Sequence, residues 1–90
     1  MFTSLLSLAL KIFLEKKVRR QLDELSKELE QRIITTLKEL ENGFSAIDIK
    51  KLKGIKNHYR IRVGNYRILF VLEFNTVYVY DVSHRGQAYK

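Results

Sequence analysis

From Lys17 to Asn42 the apolar positions fall at Val18, Leu22, Leu25, Leu29, Ile33, Leu37 and Leu40. Steps of three and four put them on one stripe of a helix, with Lys, Arg, Glu and Gln on the other faces. Ser26 carries an N-cap side chain and Glu28 stands in the turn after it. The run therefore reads as a short helix to about Leu25 and a longer one to Glu41. A single unbroken helix is the competing reading. Asn42-Gly43 ends the run, since glycine takes up the left-handed C′ conformation at little cost. Phe44–Lys56 follows as a connector.

Beyond it the period falls to two. Tyr59, Ile61 and Val63 alternate with Arg60 and Arg62, the pattern of a half-buried strand. Gly64-Asn65 fits a two-residue hairpin loop. Tyr66 to Phe74 is nearly all apolar, as in a central strand buried on both faces. Asn75-Thr76 reads as a second turn, and Val77–Ser83 as the last strand. Ahead of the helices, Leu10–Glu15 reads as a further strand. The order is strand, helical hairpin, then a three-stranded antiparallel meander: an α+β fold with both helices on one face of the sheet.

Ninety residues make one domain, 1–90, with residues 1–9 as an apolar N-terminal extension. Met1 to Leu14 lacks the positive start and small-residue cleavage site of a signal sequence, and is well short of the ~20 apolar residues that span a bilayer. A membrane is therefore not an expected partner. At 46% hydrophobic and 30% charged the chain is globular. With no cysteine, disulfides and thiolate chemistry are excluded, and two histidines without a carboxylate cluster argue against a metal centre or a cofactor held by one.

Charge narrows the search. Residues 1–49 hold eight basic and eight acidic side chains, whereas residues 50–90 hold nine basic and only two acidic, Glu73 and Asp81. The whole net charge of +7 thus lies in the second half, threaded through a segment that reads as sheet. A positive field on a rigid sheet points to a polyanionic partner.

A loop at Gly64-Asn65 fixes the hairpin register. Val63 opposes Tyr66, Arg62 opposes Arg67 and Ile61 opposes Ile68, and directly opposed residues project from one face. Arg60, Arg62 and Arg67 then share a face, while Tyr59, Ile61, Val63, Tyr66, Ile68 and Phe70 share the other. Opposed guanidiniums with Cβ atoms about 5 Å apart repel by about 1 kcal/mol in water and a few kcal/mol at an effective dielectric near 20. Folding gains nothing from this, so an anion between them is the functional reading. A solvated face of splayed arginines is the plain one. His84-Arg85 and Tyr89 favour the functional reading, adding a group that titrates near neutrality, a bidentate phosphate ligand and a stacking ring. Lys50, Lys51 and Lys53 are either a solvated loop or a steering surface for a nucleic-acid backbone. Tyr78, Tyr80 and Asp81 stay ambiguous, because a one-residue slip of the second hairpin swaps their faces.

Lys51-Leu52-Lys53-Gly54, the string Tyr59-Arg60-Ile61-Arg62-Val63-Gly64-Asn65-Tyr66-Arg67-Ile68-Leu69-Phe70, and the terminal His84-Arg85 with Tyr89 resemble the RelE/ParE toxin superfamily of type II toxin–antitoxin modules, in its RelE-like mRNA interferase branch. The resemblance implies a RelE-like fold and a ribosome-dependent endoribonuclease that cuts mRNA in the decoding site. It also implies a cytoplasmic location and a hetero-oligomeric complex with a RelB-like antitoxin. It places Arg67 and Arg85 at phosphate contacts and Tyr89 at the catalytic tyrosine, with Arg62 beside them and Arg60, Lys51 and Lys53 along the RNA. Arg60 and Arg62 stand where the best-known member has catalytic lysines. An arginine binds charge but does not give up its proton. Proton transfer then falls to His84 or Tyr89, with Lys53 and His58 as further candidates. The mechanism implied is attack of a ribose 2′-OH on the adjacent phosphate, with Arg62, Arg67 and Arg85 stabilising the developing charge. Two alternatives remain: a ParE-like inhibitor of DNA gyrase, and a non-catalytic or decayed RNA-binding module.

Overall fold

The computed structural model describes residues 10–40 and 47–84. The extension over 1–9, the Asn42-Gly43 helix stop, Arg85 and Tyr89 lie outside the described residues. The elements run β1 (Lys11–Leu14), α1 (Lys16–Asp23), α2 (Lys27–Glu39), β2 (Ile49–Lys51), β3 (His58–Val63), β4 (Tyr66–Glu73) and β5 (Thr76–His84). They form one five-stranded sheet in the order β1-β5-β4-β3-β2. β1 lies parallel to β5, and the remaining neighbours are antiparallel. No described helix is long and apolar enough to cross a membrane.

The helical run is two helices. Ser26 sits in an extended conformation (φ −62°, ψ 153°), and its Oγ accepts the Leu29 N–H at 3.2 Å. Glu28 and Glu30 occupy the first turn of α2, where negative charge offsets the free N–H groups. Val18, Leu22, Ile33, Leu37 and Leu40 bury against Ile61, Val63, Ile68, Phe70, Val77, Val79 and Val82, all from the same side of the sheet. Burying each large side chain is worth about 1.5–3 kcal/mol. Tyr59 stacks on Phe70, directly opposite it, with ring centres 5.4 Å apart. The core thus forms between the sheet and the two helices, and no described helix lies on the other face of the sheet.

Three features depart from the sequence reading. The connector contains a strand: β2 pairs with β3 through Ile49↔Ile61, Lys50↔Arg60 and Lys51↔Tyr59, so four strands follow the helices. The second turn is Phe74-Asn75 rather than Asn75-Thr76, since Thr76 already pairs with Glu73. β4 is central, but only its helix-facing side is buried in the core; Leu69 and Val71 on the other side are half-buried.

Candidate nucleic-acid interface

The β3–β4 hairpin sets the geometry. Gly64 has φ +58°, the left-handed value that the first central residue of a type II′ turn requires. The pairing that follows is Val63↔Tyr66, Arg62↔Arg67, Ile61↔Ile68 and Arg60↔Leu69. Arg60, Arg62 and Arg67 therefore share the face opposite the helices, as the loop predicts. Lys50, opposite Arg60, joins them. Lys51 opposes Tyr59 and so belongs to the other side of the edge strand, while Lys53 is exposed in the loop beyond it.

Arg60 is 8% exposed although no described helix covers it, and its Nη1 lies 3.9 Å from Asp48 Oδ1, at the outer limit of an ion pair. The Asp48 carbonyl accepts the Arg62 N–H at 3.0 Å, tying the start of β2 to the arginine row. Arg62 Nε is enclosed and has no hydrogen-bond acceptor among the described residues. A buried guanidinium N–H without an acceptor is costly, and an anionic ligand would remove that cost.

The two described histidines fall on different faces. His84 opposes Tyr66 and meets its ring edge-on, 5.3 Å between centres, on the side that Ile61 and Ile68 share. The structure does not bring it together with Arg62 and Arg67, because residue alternation along β5 turns Ser83, not His84, toward Arg67. His58 is on the arginine face, opposite Val71. Its Nδ1 is 2.9 Å from the Lys56 carbonyl oxygen, and its ring packs edge-on against Tyr80 at 5.6 Å. A carbonyl only accepts, so Nδ1 carries the proton in that contact and Nε2 is the acceptor of the neutral ring.

β5 holds the remaining polar groups. A bulge between Leu69 and Phe70 leaves Tyr80 between Asp81, opposite Leu69, and Val79, opposite Phe70. Tyr78 and Tyr80 are thereby kept out of the core. Burial, reinforced by the neighbouring Asp81 charge, raises the Tyr80 hydroxyl above its ordinary pKa. Asp81 pairs with Lys17 Nζ at 3.2 Å and accepts from Gln21 Nε2 at 3.1 Å. Burial alone would raise its carboxyl, but these hydrogen bonds and the Lys17 charge outweigh it and hold the group below its ordinary value. Gln21 Oε1 also accepts the Val82 N–H at 2.9 Å, so α1 closes the edge of β5 just past the end of β1. At the far end of the arginine face, Phe13 stacks on Tyr78 with centres 5.7 Å apart and planes 12° from parallel.

The sequence reading missed Lys50 as a member of the arginine face and Phe13 altogether. Recognising Ile49–Lys51 as a strand would have supplied the first. Nothing in a four-residue strand announces its parallel partner, so the second had no signal.

Comparison with known proteins bears on the family and the fold. Residues 12–89 match the family model described as the ParE toxin of the type II toxin–antitoxin system parDE. The chain is 36% identical over 84 residues to toxin RelE3 of Methanocaldococcus jannaschii, covering 89% of this chain and 96% of that protein. The RelB–RelE antitoxin–toxin complex from Methanococcus jannaschii superposes with a TM-score of 0.75 at 34% identity, over 86% of this chain and 94% of the other. The free RelE toxin of E. coli, as a mutant, gives the same score at 17% identity, over 91% of this chain and 90% of that one, a likeness of fold alone.

Proposed function

Because the chain belongs to the ParE toxin family of type II toxin–antitoxin systems, we propose that it is a RelE-like toxin: a ribosome-dependent endoribonuclease that cleaves mRNA in the decoding site. The observation that carries this reading is the directly opposed Arg62–Arg67 pair on the helix-free face. When a ribose 2′-OH attacks the adjacent phosphate, negative charge grows on the phosphoryl oxygens. Two guanidiniums a strand apart supply donors in fork geometry and charge where it develops. Arg85 joins them in this reading, and Arg60 and Lys50 hold the neighbouring backbone. The arginines bind but do not move protons. With His84 on the other face, the proton role rests on Tyr89, and His58 is the histidine that shares the arginine side.

The partner in this reading is a RelB-like antitoxin, in a hetero-oligomer of the kind named in the archaeal RelB–RelE complex. The toxin would act in the cytoplasm, where translating ribosomes are. Gyrase inhibition is the second reading. It is favoured by the ParE family match and by His84's separation from the arginines.

Induction should arrest growth and create new mRNA ends within translated frames, mapped by primer extension. Arg67→Ala and Arg85→Ala should each abolish those ends by at least a hundredfold while circular dichroism stays that of the folded chain, a loss of the size seen on removing one charge-stabilising donor. Growth arrest without new RNA ends, together with loss of supercoiling in a gyrase assay, would decide for the second reading.

A further inference from the structure

In the reading above, the scissile phosphate takes up only one end of the helix-free face. At its other end a second row crosses four strands: Phe13 opposes Tyr78, Tyr78 opposes Val71, and Val71 opposes His58. Phe13 and Tyr78 remain 56% and 42% exposed although stacked on each other. A cross-strand aromatic pair helps hold β1 to β5, which is the plain account of the stack. That account leaves unexplained what lies beside it. The next row along the strands carries Arg60 and Lys50, and the one after that Arg62 and Arg67. From His58 to Arg62 is four residues, about 13 Å of strand. The Phe13–Tyr78 stack lies one or two further strand spacings of about 5 Å to the side, so a nucleotide about two or three along one extended strand can reach it.

The charge on this face selects the occupant. Among the described residues its carboxylates are Asp48, 3.9 Å from Arg60 Nη1, Asp81, engaged by Lys17 and Gln21, and Glu73, which shares the end row with Thr76 and Lys11. Surfaces that hold single-stranded nucleic acid combine cationic tracks with aromatic platforms, because every base has a π-face. Resting on the nucleic-acid reading above, we propose that Phe13 and Tyr78 form a base-stacking platform. It takes a nucleotide of the same RNA strand whose phosphate lies at Arg62 and Arg67, so the protein grips several nucleotides rather than one phosphate.

The test is equilibrium binding of the full chain to two labelled probes at one salt concentration: hexauridine, and a six-residue ribose-phosphate strand without bases. Their charge is equal, so their affinity ratio reads stacking alone. The wild-type chain should prefer hexauridine by about tenfold or more. Phe13→Leu and Tyr78→Leu keep apolar packing but remove the π-face, and each should bring the ratio toward one while leaving affinity for the abasic strand unchanged. Phe74→Ala should leave the ratio as it is. A ratio that Phe13→Leu and Tyr78→Leu do not change overturns the platform. So does a loss of antitoxin binding in those variants with RNA binding intact, which would make this row a protein-docking surface. The nucleic-acid reading fails differently, with neither strand bound, or both bound equally well after Arg67→Ala.

Discussion

Arg62 and Arg67 face each other directly across the β3–β4 register. The alternation that brought them together could be read from a two-residue loop and a period of two. The same rule applied to β5 puts His84 on the arginine face; the bulge at Tyr80, which no period announces, shifts the pairing by one residue and separates it. That shift reverses the parity of β5 beyond it, and parity decides the face. His58, two residues before Arg60 on the same strand, is legible on that face by the same rule. Asp81 could not be placed from sequence, since its partners Lys17 and Gln21 are remote in the chain and reach it only because α1 covers the β5 edge. Its lowered pKa gives a prediction. The folded carboxyl holds its proton less tightly than the unfolded one, so acid favours unfolding. The stabilisation it provides is full above the ordinary value of 3.8 and is lost as pH falls through the lower folded value. Asp81→Asn should therefore be less stable than wild type in urea unfolding at pH 5 to 8, and the gap should close below about pH 4. A gap that persists unchanged to pH 2.5 would mean the ion pair is not its source.

At the level of elements, two hairpins of equal loop length contrast sharply. The first has Gly64 at φ +58°; the second has Phe74 at φ +55° and fully exposed. An L-residue in the left-handed region costs about 1–2 kcal/mol, whereas glycine pays only chain entropy, about 0.5–1 kcal/mol. Local preference therefore marks the first turn correctly and the second one residue late: Phe74 violates that preference, whereas Asn75-Thr76 satisfies it. Phe74→Gly should stabilise the fold by about 0.5–1 kcal/mol, and Gly64→Ala should destabilise it by about 1 kcal/mol, both read as shifts in urea midpoint at constant slope. A destabilised Phe74→Gly would show that the ring contributes contacts that its exposure conceals. β2 escaped the sequence reading for another reason. Three residues, two of them lysine, carry no period, and charge on an edge strand is what keeps it from pairing with other chains.

Across the molecule, the sheet separates two tasks. One face supplies the core through residues that alternate with the basic ones, and the other is left to carry charge. The helix order, the fold class and the arginine face were legible because amphipathic periodicity and hairpin register are local. The parallel docking of β1 on β5, which seats Phe13 beside Tyr78, is a long-range choice that depends on the whole sheet. The net charge of +7 then has a definite direction. If Lys50, Arg60, Arg62 and Arg67 are the residues that displace counterions from a single strand, the logarithm of the binding constant should fall with the logarithm of salt at a slope near −3, about 0.7 for each phosphate neutralised. Arg60→Ala should reduce that slope by about 0.7. Lys27→Ala, on the exposed start of α2, should leave it unchanged, although both variants lower the net charge equally. Equal reductions in the two variants would mean that overall charge, and not the face built by the β3–β4 register, draws the strand in.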